Sequence, residues 1–88
     1  MNMQRRKRIE DVEKRIEDLS ELMEEIYTAI EEIRDEEQEC LDNIPENLQS
    51  SDRYKAAESA VEKLGEAYDL VYEFDIDELT SYLEEAKQ

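Results

Sequence analysis

Carboxylates are almost the only side chains in this sequence that could take part in chemistry. The 88 residues contain 27 Asp and Glu, 11 Lys and Arg, five Tyr, one Cys and no His. Zinc sites and serine or cysteine triads need imidazole or several thiols, so this composition excludes them. We therefore predict that the protein is not an enzyme and that it uses no cofactor.

Local groups of carboxylates have simpler interpretations than a metal or catalytic site. Two groups could attract Ca²⁺ or Mg²⁺: Glu24, Glu25 and Glu31, and Asp75, Asp77 and Glu78. Neither has the glycine-turned loop of an EF-hand, so we expect weak counterion binding and no metal site. Glu37 alone interrupts the apolar positions described below, and a polar residue there is typical of a determinant of register or oligomeric state.

Pairs of carboxylates recur every seven residues in the first half of the chain. They are Glu10 and Asp11, Glu17 and Asp18, Glu24 and Glu25, and Glu31 and Glu32, which we call the acidic face. In a helix they would lie on one side, one pair about every 10.5 Å. Such a surface either imitates the phosphates of a nucleic acid and binds a basic protein surface, or keeps the protein in solution through its charge.

The apolar residues predict the element that positions these carboxylates. Apolar side chains follow one another at alternating steps of three and four residues from Ile9 to Ile33, which predicts four heptads of a coiled coil. The a positions are Ile9, Ile16, Met23 and Ile30, and the d positions are Val12, Leu19, Ile26 and Ile33. No Gly or Pro occurs before Pro45, so we place helix 1 at about residues 4 to 42, with its a and d side chains against a second helix.

The second half of the chain predicts a turn and a less regular helix. Pro45 lies in the main cluster of helix-breaking residues, at positions 43 to 51, and a second helix is expected at about residues 52 to 85. Its apolar positions include three consecutive steps of four residues between Leu64 and Ile76, beside Gly65. Because such a stutter locally unwinds a coiled coil, we predict a straight stretch or a bend between Gly65 and Asp77.

Together the helices predict an all-α fold, an antiparallel two-helix coiled-coil hairpin formed by one domain, residues 1–88. A hairpin of this size buries little surface. Four side chains widen its apolar surface beyond the seam: Leu22, Tyr27, Leu70 and Phe74. We expect them to join two hairpins into a four-helix bundle, which would make the protein a homodimer. Alternatively, they wrap around the seam of a single hairpin.

Three segments of the chain resemble a known group of proteins. They are DNIPENLQSSDRY at residues 42–54, AESAVEKL at residues 57–64 and LTSYLEEA at residues 79–86. The turn motif and the alanine-spaced second helix are similar to those of uncharacterised small acidic helical-hairpin proteins of phages and prophages of Gram-positive bacteria. The resemblance implies a phage or mobile-element origin and no particular activity.

Charge and resemblance together favour a non-enzymatic phage protein that binds another protein. The acidic face would occupy the nucleic-acid-binding surface of a host defence protein, as a nucleic-acid mimic. The alternative is a structural or adaptor coiled coil that binds its partner through apolar surface.

The remaining features bear on location and on direct contact with nucleic acid. The charged N-terminus, the lone Cys40 and the lack of a long apolar run favour a cytoplasmic protein without membrane contact. The only basic cluster is residues 5–8. Neighbouring carboxylates repel phosphate, so we expect no direct binding to nucleic acid and expect this cluster to pair with Glu84 and Glu85.

Overall fold

A computed structural model of residues 1–88 consists of helices joined by short turns, without strands. Helix α1 is Met3–Asp42, a 3-10 turn is formed by Glu46–Leu48, α2 is Asp52–Tyr72 and α3 is Ile76–Lys87. Both α2 and α3 pack along α1. The predicted all-α fold of two long helical arms joined by a short turn is confirmed; a four-helix bundle stays a prediction.

Side chains at the ends of the helices explain where α1 and α2 begin. The Asn2 side chain accepts a hydrogen bond from the Arg5 backbone N–H at 2.9 Å. The Ser51 hydroxyl accepts one from the Tyr54 N–H at 3.2 Å. Each cap satisfies a backbone donor that the first helical turn leaves free. Between the helices, the Leu48 N–H donates to the Pro45 carbonyl at 2.9 Å, which closes the turn.

The second arm is divided into two helices, although the sequence predicts one helix over residues 52 to 85. Helix α2 ends at Tyr72, and the Asp75 carboxylate accepts a hydrogen bond of 2.8 Å from the Glu78 N–H. This cap starts a new helix, because the Asp75 carboxylate accepts from a backbone N–H that, in a continuous helix, would donate to a backbone carbonyl instead. The break lies inside the predicted interval of 65 to 77. Gly65 itself lies within regular α2 and has no positive φ.

Helix α1 is rotated about its axis relative to the predicted seam. Its a and e positions face α2, and the most deeply buried side chains are Ile16 at a and Leu41 at e. The prediction that the d positions pack against the second helix is wrong. The d side chains remain between 39% and 53% exposed: Val12, Leu19, Ile26 and Ile33.

Three tyrosines account for this rotation. Tyr27, at an e position, has its ring centroid 5.6 Å from that of Tyr68 and 5.3 Å from that of Tyr72, edge-on to both. Tyr68 and Tyr72 lie one helical turn apart and stack at 5.5 Å. Large rings gain more from mutual packing than the smaller d side chains gain from contact with α2, so the e side of α1 turns inward.

Candidate functional site

The acidic face lies on the sides of α1 that α2 does not cover. Seven of its eight carboxylates are exposed, and only Glu31 is half-buried. None of the eight forms an ion pair with a Lys or Arg of the chain. The face extends over about 33 Å, since residues 10 to 32 belong to one continuous helix with a rise of about 1.5 Å per residue. The carboxylates are therefore free to contact another molecule.

Glu31 is half-buried because it lies beside the cluster of Tyr27, Tyr68 and Tyr72, which we call the tyrosine cluster. Burial raises the pKa of Tyr68, and the negative charge of Glu31 raises it further. Burial also raises the pKa of Tyr27, with the charge of Glu24 adding to the effect. Two carboxylates of the acidic face, Glu24 and Glu31, therefore lie close enough to the tyrosine cluster to act on the pKa values of its phenols.

Arg34 contacts the tyrosine cluster on the side nearer the turn. Its guanidinium carbon lies 5.4 Å from the centroid of the Tyr68 ring, within the range of a cation–π contact. A Cβ added to Gly65 would lie 4.0 Å from the Arg34 side chain, an ordinary contact. The sequence does not show that Tyr27 meets Tyr68 and Tyr72, although Tyr68 and Tyr72 are spaced four residues apart, as neighbouring rings on one side of a helix are.

The four predicted interface side chains differ in exposure, and Tyr27 and Phe74 line one groove. Leu22, Leu70 and Phe74 are exposed, with Leu70 reaching 77%. Tyr27 is half-buried in the tyrosine cluster, so it stabilises the hairpin. On α1 the exposed apolar surface is instead formed by Leu22 together with the d positions.

The open end of the hairpin is closed by an ion-pair network centred on Lys87. Its Nζ lies 2.7 Å from a Glu13 carboxylate oxygen on α1 and 3.1 Å from one of Glu84 on α3. Hydrogen bonds with Glu13 and then Lys87 hold the pKa of Glu84 below its ordinary value. Hydrogen bonds with Glu13 and then Glu84 raise the pKa of Lys87. The network joins the last helix to α1.

We expect Lys87→Met to loosen α3 while leaving α2 in place. The substitution keeps an apolar stem but removes the charge that Glu13 and Glu84 share, so local opening of α3 becomes easier. Amide hydrogen exchange should accelerate several-fold within residues 76–87. The matched control is Lys63→Met. Lys63 pairs with Glu66 of its own helix, α2, on an exposed surface, so this ion pair joins no second helix. Equal exchange rates in wild type and Lys87→Met would show that the network does not hold α3.

The same network predicts how protection of α3 depends on pH. Because the pKa of Glu84 is lower in the folded chain, its contribution is present above the ordinary glutamate value and is lost as pH falls through the folded-state pKa. Because the pKa of Lys87 is raised, its contribution is complete below the ordinary 10.5 and is lost as pH rises through the raised pKa. In Lys87→Met the alkaline change should be absent and the acid change should be smaller, because the contact of Glu84 with Glu13 remains. Hydrogen exchange measured across the pH range would reveal both.

The basic cluster of residues 5–8 does not make its predicted contacts. None of its side chains forms an ion pair within the chain, and Lys87 takes the position near Glu84 instead. Arg5, Arg8 and Arg15 line a shallow groove with Val12 on the d side of α1. Lys87 belongs to the same helix as Glu84 and pairs with both Glu84 and Glu13. The arginines therefore have no ion-pair partner within the chain.

Other predicted positions lie apart from the acidic face. Glu37 is half-buried and lines a groove at the turn with Cys40 and Arg53, so its role in register or oligomeric state stays a prediction. No group of three or more Cys, Asp or Glu side chains is placed so that it could hold a metal ion. None of the helices combines the length and apolar character required to cross a membrane. Comparisons with protein-family models, curated proteins and solved structures find no match.

Proposed function

We propose that this protein is a non-enzymatic binding protein whose acidic face occupies the basic nucleic-acid-binding surface of another protein. One observation carries the proposal: eight carboxylates without ion-pair partners recur at regular spacing along a single 40-residue helix. Carboxylate repulsion along a helix does not stabilise it, since Lys four residues after Glu would do so. We therefore attribute the regular spacing of these carboxylates to the binding of a cationic partner.

The density of charge supports imitation of a nucleic acid. The excess of 16 negative charges over a length of 69 Å is one charge per about 4.3 Å, close to the roughly 3.4 Å between phosphates along one DNA strand. The carboxylates stand on a preformed helix, so binding does not require the chain to be ordered first. Attraction of this kind raises association rates and weakens as salt screens it.

The proposed target rests on the phage origin expected from the resemblance of residues 42–54 to small acidic phage proteins. A phage gains from blocking a host protein that binds or cuts nucleic acid. We therefore propose a host defence protein in the bacterial cytoplasm as the partner, and competition with its nucleic acid as the mechanism.

The test begins with capture of partners from a bacterial lysate and continues with the purified partner. We expect the partner to lose its nucleic acid when this protein is added, and its affinity to fall steeply between about 50 and 200 mM salt. The variant Glu17→Lys, Asp18→Lys, Glu24→Lys, Glu25→Lys should not bind. All four positions are exposed and only Glu24 lies near the tyrosine cluster, so helicity by far-UV circular dichroism should persist.

A matched control separates the acidic face from total charge. Reversal of Glu58, Glu62, Asp69 and Glu73 changes the net charge by the same amount on exposed positions of the second arm. We expect this control to keep most of the affinity. If both variants lose binding equally, net charge alone is responsible, and if neither loses binding, the acidic face only keeps the protein in solution.

The exposure of Leu70 and Phe74 favours a second candidate function, an adaptor that binds through apolar surface. In that case Leu70→Lys or Phe74→Lys should abolish partner binding, and binding should depend weakly on salt. The mimic predicts the opposite for both measurements, so the same captured partner distinguishes the two functions.

A further inference from the structure

We propose that two copies of this chain associate antiparallel through the side of α1 that α2 leaves uncovered. This side consists of Val12, Leu19, Leu22, Ile26 and Ile33, which we call the outer stripe. All five side chains are between 39% and 53% exposed. They extend over 21 residues of one helix, or about 32 Å. The outer stripe is a second apolar seam, next to the one that the hairpin uses.

The single chain exposes more surface than a compact monomer of its mass, which favours association with a partner. Its accessible surface is 7108 Å², whereas a compact monomer of 10.5 kDa exposes about 5,400 Å². The difference, about 1,700 Å², exceeds the roughly 800 Å² that each partner buries in a standard stable interface. A hairpin of 69 × 15 × 14 Å buries only Ile16 and Leu41, and a second hairpin laid along the outer stripe would bury further side chains.

The charges along α1 favour a second copy in antiparallel orientation. Residues 1–15 contain six basic and three acidic side chains, whereas residues 28–42 contain one basic and seven acidic side chains. Antiparallel association sets the basic end of each α1 beside the acidic end of the other. Parallel association would set the seven carboxylates of one chain beside those of its partner, which Coulomb repulsion opposes.

The spacing of the outer stripe fixes the register of this pair. A two-fold axis between Leu22 and Met23 brings Val12 opposite the partner's Ile33 and Leu19 opposite the partner's Ile26. The same axis brings Arg8 within one residue of the partner's Glu36. Neither Arg8 nor Glu36 has an ion-pair partner within the chain, so the dimer supplies one for each. Apolar and charged positions therefore agree on one register to within one residue.

Sedimentation equilibrium of the full chain tests the association without any other protein, so its outcome does not depend on the proposed function. We expect twice the chain mass of 10.5 kDa at micromolar concentration. Leu22→Glu places two carboxylates at the two-fold axis and should give a monomer of unchanged helicity, since Leu22 is exposed in the single hairpin. Thr28→Glu, which adds the same charge at an exposed position outside the outer stripe, should remain dimeric.

Cross-linking through Cys40 tests the orientation. The proposed register sets position 5 beside the partner's Cys40, so mild oxidation of Arg5→Cys should give a covalent dimer, whereas Lys7→Cys, on another side of α1, should not. Wild type should not cross-link, because the two Cys40 thiols would be 35 residues apart along α1, or about 52 Å. A monomer at high micromolar concentration would overturn the proposal and leave the outer stripe to a different protein. Rapid Cys40 to Cys40 cross-linking of the wild-type dimer would overturn its orientation.

Discussion

Replacement of Ile16 by Ala should lower the free energy of unfolding by about 3 kcal/mol, the usual loss when a buried Ile is truncated. Ile16 is 8% exposed and is one of the two most deeply buried residues in the chain. A two-helix hairpin has few such side chains, and small domains are stable by only a few kcal/mol. We therefore expect the variant to be partly unfolded at 25 °C.

The matched control is Ile26→Ala, because Ile26 is the same residue type in the same heptad pattern but is 41% exposed. Truncation there should cost about 1 kcal/mol or less in a single hairpin. Both substitutions should be measured by urea denaturation in the Leu22→Glu background, which keeps association out of the comparison. Equal losses would mean that α1 packs through its a and d positions after all.

Replacement of Tyr27 by Ala should lower the free energy of unfolding by about 2 to 3 kcal/mol, from lost ring burial and two lost ring pairs. Tyr27 is the one aromatic side chain that α1 contributes to the tyrosine cluster, where it contacts both Tyr68 and Tyr72. Without this ring, only the contact of Arg34 with Tyr68 favours the e side of α1 over the d side in the middle of the hairpin. We therefore expect lower stability together with altered packing.

Near-UV circular dichroism of the tyrosines measures that change in packing, and urea denaturation measures the stability. Tyr82→Ala is the control, because Tyr82 is exposed and hydrogen-bonds only to Glu78 within its own helix. Its loss should leave both the near-UV signal of the cluster and the urea midpoint almost unchanged. A Tyr27→Ala variant as stable as Tyr82→Ala would mean that the tyrosine cluster does not hold the hairpin together.

Local sequence was sufficient to predict α1, the turn and the place of the acidic face on α1. The long run without Gly or Pro predicts α1 at about 4 to 42, against the observed Met3–Asp42, and Pro45 lies in the turn as expected. These features depend on residues close together in the chain, such as caps, breakers and the helical period. The same period places the acidic face on one side of α1 whatever α1 packs against.

One local cap and the contacts between the arms decided the rest. The Asp75 side chain caps α3 and so divides the second arm into two helices. The sequence pattern allows both a bend and a cap in this interval and does not indicate which one forms. Which side of α1 turns inward was also open. The apolar a positions are flanked by d on one side and e on the other, and the d residues form the more regular pattern.

Only the packed structure shows whether the d side or the e side of α1 turns inward, because this depends on which side chains of the second arm face α1. Tyr68 and Tyr72 meet Tyr27 at e, and Lys87 meets Glu13, another e residue, at the open end. Each contact joins residues more than 40 positions apart, beyond the reach of any helical periodicity. The energies of these distant pairs determine the rotation of α1, and that rotation leaves the outer stripe exposed.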